Sequence, residues 1–387
     1  AEARLAREWA GRTQATLSLP WRRLDIGPGA ILSLPGQDGA WRVTQRAFEA
    51  MVLTLTATRL PPAATAAATA SAGRPVSQPD LTHGPTTLAL LDLPMLGDDP
   101  ATVPTLAIAA AGVSAGWRRA SVIGSLDGGA SWSAIGDTAP AAILGTTLTA
   151  LPPGSAMLFD TVATLDVALL NDAMTLAGND AIAASATANL ALVGGELIQF
   201  AAAEQTGPAS FRLSRLLRGR RGTEWAMASH VAGEAFVLVD AETLLGWTLP
   251  VSAIGASVMV AATGIGDARP AEAAIVYQGR ALRPPAPVAL HAVAGADGSV
   301  AAGWTRRSRA GWTWIDGTDA PLGEESELYQ VVLARGGAAA TITTTAPAAT
   351  LPADVIAALP GAGPITATVA QIGTIAVSLP AARLPLP

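Results

Sequence analysis

"LSRLLRGRRGTEWAMASH", residues 213–230, decides the fold. The run before it and into it, "SFRLSRLL" at 210–217, is strand-like, and "GEAFVLVD" at 233–240 is extended again. Between them Gly219 and Gly222 permit a tight turn, because glycine enters left-handed backbone at no steric cost. Thr223 can bond locally to hold that turn. A strand, a glycine turn and a second strand describe a β protein. Of the four arginines of the stretch, Arg215 falls in the first strand and Arg218, Arg220 and Arg221 at the turn.

Working outward, the same grammar repeats. "TLAIAAAGV" (105–113), "RASVIGSLDGG" (119–129) and "ANLALVGGELIQF" (188–200) are strand-length runs bounded by Gly, Pro or Asp. "LLGWTLPVSAIGASVMVAATGIG" at 244–266 is uncharged and near spanning length. Val258, Val260 and Ala262 nevertheless alternate with Met259 and Ala261, which predicts a strand instead of a membrane helix. Helix is expected only near the N-terminus, where Leu5 and Trp9 share a face ahead of Gly11. The expected fold class is all-β, with several sandwich- or barrel-like domains in a row.

Five segments are expected. Residues 1–60 form the end of a β-rich domain, and 61–79, containing "PPAATAAATASAGRP", is a linker. Residues 80–153 and 154–283 form two β domains divided near "LPPG" (151–154). Residues 284–387, after the Pro-rich "RALRPPAPVAL", form a fibronectin type III-like sandwich. In that last domain Tyr329, Val331 and Leu333 should share one core face, as should Ile365, Ala367 and Val369. "GADGS" (295–299) is a hairpin turn and "TIAVSLP" (374–380) a late strand.

Composition narrows the function classes. The chain has 387 residues, of which half are hydrophobic and 14% charged. It holds no lysine and no cysteine, and its formal net charge is −6. Without cysteine there are no disulfides or thiolate metal sites. An acidic balance argues against a protein whose task is holding nucleic acid, since phosphate neutralisation dominates that affinity. The three histidines, His83, His230 and His291, are isolated and lack metal-ligand spacing. No cofactor is expected.

Several motifs invite chemistry. "GVSAG" at 112–116 matches the nucleophile elbow with Ser114 as nucleophile. That elbow needs a helix after the serine, and here a strand and a turn follow. "SLDGGASW" at 125–132 resembles the Asp box of sialidase-type propellers, present here in one copy; the resemblance implies a stapled β-hairpin in which Ser125 and Asp127 cap the turn and Trp132 packs beneath it. Asp316, Asp319, Glu324, Glu325 and Glu327 could hide a glycosidase pair. Arg306, Arg307 and Arg309 lie just upstream, so an Arg–carboxylate network pinning a loop is the preferred reading. Trp312 and Trp314, two apart, could stack on a glycan. In the opening stretch Arg218 and Arg221, across Gly219 and Gly222, are expected to reach one acidic surface at an interface.

Taken together, "DLP" (92–94), "SLDGGASW", "GGELIQF" (194–200), "LSRLLRGRRGTE" (213–224), "AGEAFVLVD" (232–240), "ALRPPAPV" (281–288) and "WTRRSR…DAPLGEESELYQV" (304–331) resemble the tail-tip hub, or megatron, protein of gene transfer agents and related siphophage tails. The resemblance covers about residues 80–335, and residues 1–60 look like the end of the family's hub domain. It implies the C-terminal portion of a longer baseplate-hub chain, a homotrimer that closes the tail tube. Implied partners are other tail-tip and tail-tube proteins and the host envelope, with DNA only in transit. Implied too are a place at the tail tip of a particle assembled in the bacterial cytoplasm, a structural role for the Arg–Gly turn, and no catalytic residue to carry over. Against it stand two other readings from the residues alone, a glycan-binding adhesin and an envelope-glycan hydrolase.

Overall fold

The computed structural model describes residues 12–61, 82–97, 101–310, 316–361 and 363–386. The expected N-terminal helix, nearly all of the linker, and Trp312 and Trp314 lie outside the described residues. The chain divides into two compact units, 1–78 and 79–387.

The first unit is a four-stranded antiparallel sheet of β1 (Gln14–Pro20), β2 (Ile31–Ser33), β3 (Ala40–Glu49) and β4 (Val52–Arg59), in the order β1-β4-β3-β2. Alternation in "VLTLTATR" sends Leu53, Leu55 and Ala57 to one face, where they pack with Trp41 and Val43.

The second unit opens with β5 (Thr86–Leu91), β6 (Thr105–Gly112), β7 (Ser121–Ser125) and β8 (Ser133–Asp137). The chain then leaves to build a closed six-stranded barrel from β9 (Leu144–Thr147), β10 (Leu165–Leu169), β11 (Leu190–Val193), β12 (Glu196–Gly207), β13 (Ser210–Leu217) and β14 (Ala235–Leu238). It returns as β15 (Leu244–Thr248), β16 (Ser257–Thr263) and β17 (Ala271–Val276). β15 pairs with β6, and β16 with β7, so the strands before and after the barrel form one sandwich. This corrects the expected division at 151–154. Residues 80–153 and 154–283 are not consecutive domains: a barrel is inserted into a sandwich.

Composition explains how the two bodies fuse. On β6, Leu106 and Ile108 face the sandwich core with Val258, Val260 and Ala262, while Ala109 and Ala111 face the barrel core. A strand buried on both faces loses its polar alternation, and alanines on the barrel side let the barrel wall approach closely. Trp247 lies against Gly124 so closely that a Cβ there would sit 2.3 Å from the indole.

The last domain pairs β18 (Val288–Ala294), β19 (Val300–Thr305) and β22 (Ala348–Leu351) in one sheet. The other holds β20 (Tyr329–Arg335), β21 (Ala338–Thr344), β23 (Thr366–Gln371) and β24 (Ala382–Leu384), in the order β21-β20-β23-β24. Three strands facing four in this order is the fibronectin type III-like arrangement. Tyr329, Val331, Leu333 and Val369 are fully buried, with Trp304 edge-on to Tyr329 at 5.2 Å between ring centres. The expected strand at 374–380 is reduced to a single bridge between Ile372 and Val377, and the edge is supplied by β24 instead. One short helix, α1 (Ala353–Ala358), spans the link between β22 and β23. Among the described residues no helix is long and apolar enough to cross a membrane.

Candidate functional site

The Arg–Gly stretch lies at one end of the barrel, where β13 stops and β12 begins. The register sets Leu217 against Gln199, so Arg218 leaves its strand near the first residue of β12, Glu196. Its guanidinium grips that carboxylate with both arms: Nε donates to Oε1 and Nη2 to Oε2, each at 2.8 Å. Both side chains are fully buried. The third arm, Nη1, donates to the Pro152 carbonyl at 2.9 Å and lies 3.5 Å from Asp160. The Gly219 N–H adds a bond to Glu196 at 2.7 Å. Gly219 is left-handed there (φ 58°), which places that N–H against the carboxylate without a Cβ penalty. Thr223 finishes the turn, donating to the Arg220 carbonyl and accepting from the Leu197 N–H.

His230, which sequence reading left isolated, completes this network. Its Nε2 lies 2.6 Å from Glu196 and its Nδ1 2.7 Å from Glu234. The hydrogen bond to Glu196, strong enough to outweigh burial, and the further bond to Glu234 raise the imidazole above its ordinary range. With a carboxylate oxygen within hydrogen-bond distance of each nitrogen, the site favours the imidazolium, which can donate from both. Burial pushes the Glu196 carboxyl up, yet the bonds from His230, Arg218 and Gly219 together hold it below its usual value. Gly194 and Gly195 shape the neighbouring hairpin: a Cβ on Gly194 would meet Glu234 at 2.7 Å.

The sign of this linkage gives a testable pH profile. A histidine whose pKa is raised on folding contributes stability that is complete below its unfolded value and is lost as pH rises through the folded value. Hydrogen-exchange protection of β12 and β13 should therefore decline as pH climbs above about 6.5, after correction for intrinsic exchange. In His230→Gln the decline should vanish; an unchanged decline would refute the imidazolium.

Arg221 does not join Arg218. Its own backbone is left-handed (φ 56°), which turns its side chain away to the Leu96 carbonyl at 2.6 Å, on the segment after β5. The expectation that both arginines reach one acidic surface is corrected accordingly: one closes the barrel, the other ties the barrel to the sandwich. Gly222 is also left-handed, and a Cβ added there would meet Pro285 of the Pro-rich hinge at 3.1 Å.

The other family-like segments meet at this junction. Asp92 of "DLP" accepts from the backbone N–H groups of Gln278 and Arg280 at 2.6 and 2.9 Å. The Arg280 guanidinium stacks 4.5 Å from the Trp225 ring centre. Arg307 forms an ion pair with Glu224 of the barrel at 2.6 Å and donates to the Ala286 carbonyl. Arg309 pairs with buried Glu324 at 2.8 Å and also reaches the Ala101 carbonyl. Arg306 pairs with exposed Asp319. Of the three, Arg306 and Arg309 bond acids of the downstream loop, whereas Arg307 crosses to the barrel.

The remaining candidates lie elsewhere. Ser125, Asp127 and Trp132 staple the β7–β8 hairpin. Asp127 accepts from the Ser131 N–H at 2.9 Å and from the Ser125 hydroxyl at 2.7 Å, and the Trp132 indole donates to the Gly129 carbonyl. The bonds from Ser131, chiefly its hydroxyl, hold the Asp127 carboxyl down at about 2. Ser114 donates its hydroxyl to the Thr82 carbonyl and is followed by β7, not by a helix. Among the described residues no group of His, Asp or Glu is placed to hold a metal ion.

With the fold and junction in place, comparison with known proteins is informative at two segments. Residues 1–46 match a family described as "Putative phage tail protein". Residues 142–237 match one described as "Rcc01698-like, C-terminal", and these limits coincide with the barrel. The matches relate the chain to phage tail proteins. No curated protein sequence matches it. Similar solved structures include a three-domain segment of titin, with 10% identity, a TM-score of 0.18, and 95% of this chain and 90% of that chain covered. Another is the FN1-FN3 segment of chicken CNTN1, at 9% identity and TM-score 0.19, covering 77% of this chain and 96% of that one.

Proposed function

We propose that this chain is a structural component of a phage-like tail tip, the C-terminal portion of a baseplate hub in a gene transfer agent or related siphophage tail. In this reading it is a homotrimer that helps close the tail tube, contacts tail-tube and other tail-tip proteins, and presents its outer domains to the host envelope. DNA passes it only in transit, and it catalyses nothing itself. The observation that carries the reading is the use made of the Arg–Gly element: Arg218 is spent on an internal carboxylate and Arg221 on a neighbouring segment's backbone. Arginines bonded within the fold in this way give rigidity and orientation, not turnover. The two tail-related matches on one chain support it.

The test is immunogold electron microscopy of purified particles with antibodies raised against residues 142–237, the matched barrel. Gold at the distal end of the tail is expected. Gold on the head or along the tube, or particles free of the protein, would overturn the proposal.

A further inference from the structure

The barrel's arginine turn has a second side. A cleft of 660 Å³ opens between the barrel and the last domain, walled by Met157, Gly219, Arg220, Arg221 and Arg307 among others. Glu224 is its carboxylate among the described residues, and that acid is already held by Arg307 at 2.6 Å. Arg220 is different from its neighbours: it is half-buried, its carbonyl accepts from Thr223, and its guanidinium makes no hydrogen bond or ion pair among the described residues. Burial draws its guanidinium below the usual arginine range, so the charge is partly stripped of water, and among the described residues it has no counter-ion. Beside it the loop after the "LPPG" segment exposes a run of apolar side chains. Met157 and Val162 are each 91% exposed and Leu158 69%. Exposed apolar clusters beside polar groups mark interaction sites.

We propose that this cleft docks a segment of a partner protein in which a carboxylate is flanked by apolar side chains. The acid enters to meet Arg220, and the flanking residues cover Met157 and Leu158. Charge complementarity selects a carboxylate, since a guanidinium offers two parallel donors to a planar acid. The apolar loop selects a peptide over a bare anion. The cleft adjoins the Arg218 lock, whose Arg218 and Gly219 line part of its wall, but the Arg220 guanidinium takes no part in that lock, and the proposal does not depend on the tail assignment.

The probe is a short peptide carrying one glutamate between leucines, titrated calorimetrically into the full chain. Binding is expected, weakened about tenfold or more by Arg220→Gln. A similar loss is expected when the peptide's glutamate becomes glutamine, and a smaller one for Met157→Ser. Because the Arg220 guanidinium has no partner among the described residues to strand, Arg220→Gln should melt at the wild-type temperature. Several results would overturn the proposal: no peptide binding, equal binding by wild type and Arg220→Gln, or a lowered melting temperature in that variant. Inorganic phosphate or anionic phospholipid vesicles binding at Arg220 in place of the peptide would do so too, as would self-association abolished by Arg220→Gln.

Discussion

Arg218→Ala is expected to destabilise the barrel by about 3–5 kcal/mol, the usual cost of stranding a buried charge. The argument is geometric. Glu196 is fully buried and receives both arms of Arg218. Without the guanidinium, His230 and the Gly219 N–H remain, but the lone pairs Arg218 satisfied face a dry interior. Lysine would not rescue the variant, because a single ammonium cannot bridge both carboxylate oxygens and the Pro152 carbonyl as the fork does. Hydrogen exchange should report lost protection in β12 and β13, with the last domain unchanged. A reading of the stretch as a nucleic-acid patch predicts the reverse: intact stability and a reduced salt slope in DNA binding.

Tyr329→Ala should cost a similar amount, about 3–5 kcal/mol, but in the last domain. Tyr329 has no exposed surface and packs edge-on with Trp304. Its hydroxyl donates to Glu327 at 2.7 Å, so truncation also removes a partner from that carboxylate. The loss should be read from denaturant unfolding followed by exchange in β20 and β23, with the barrel keeping its protection. Equal loss in both bodies would mean that the unit unfolds as one, and no loss would remove Tyr329 from the core.

Alternation made the β-structure legible. Tyr329, Val331 and Leu333 share a face because strand side chains repeat every two residues, and that period survives any tertiary context. The insertion of the barrel was not legible. β6 and β15, like β7 and β16, are separated by more of the chain than the whole barrel, and alanine-rich strands carry no mark of their partners. Arg221 misled for a local reason: a three-residue spacing implies a shared surface only in regular backbone, and its left-handed φ reverses the direction. His230 was missed because its two carboxylates come from β12 and from the loop before β14. The nearby Glu234, four residues on, means nothing outside a helix. The arginine junction was legible as residue types and order, but not as the pairing of Arg307 with the barrel's Glu224 in place of its own loop.

A double-mutant cycle between Arg218 and Glu196, using Arg218→Met and Glu196→Gln, tests the central claim that this turn is an internal lock. If the two side chains satisfy each other, removing the second should recover much of the damage done by removing the first, with a coupling energy of about 2 kcal/mol or more. Additive losses, with no coupling between the two positions, would contradict it.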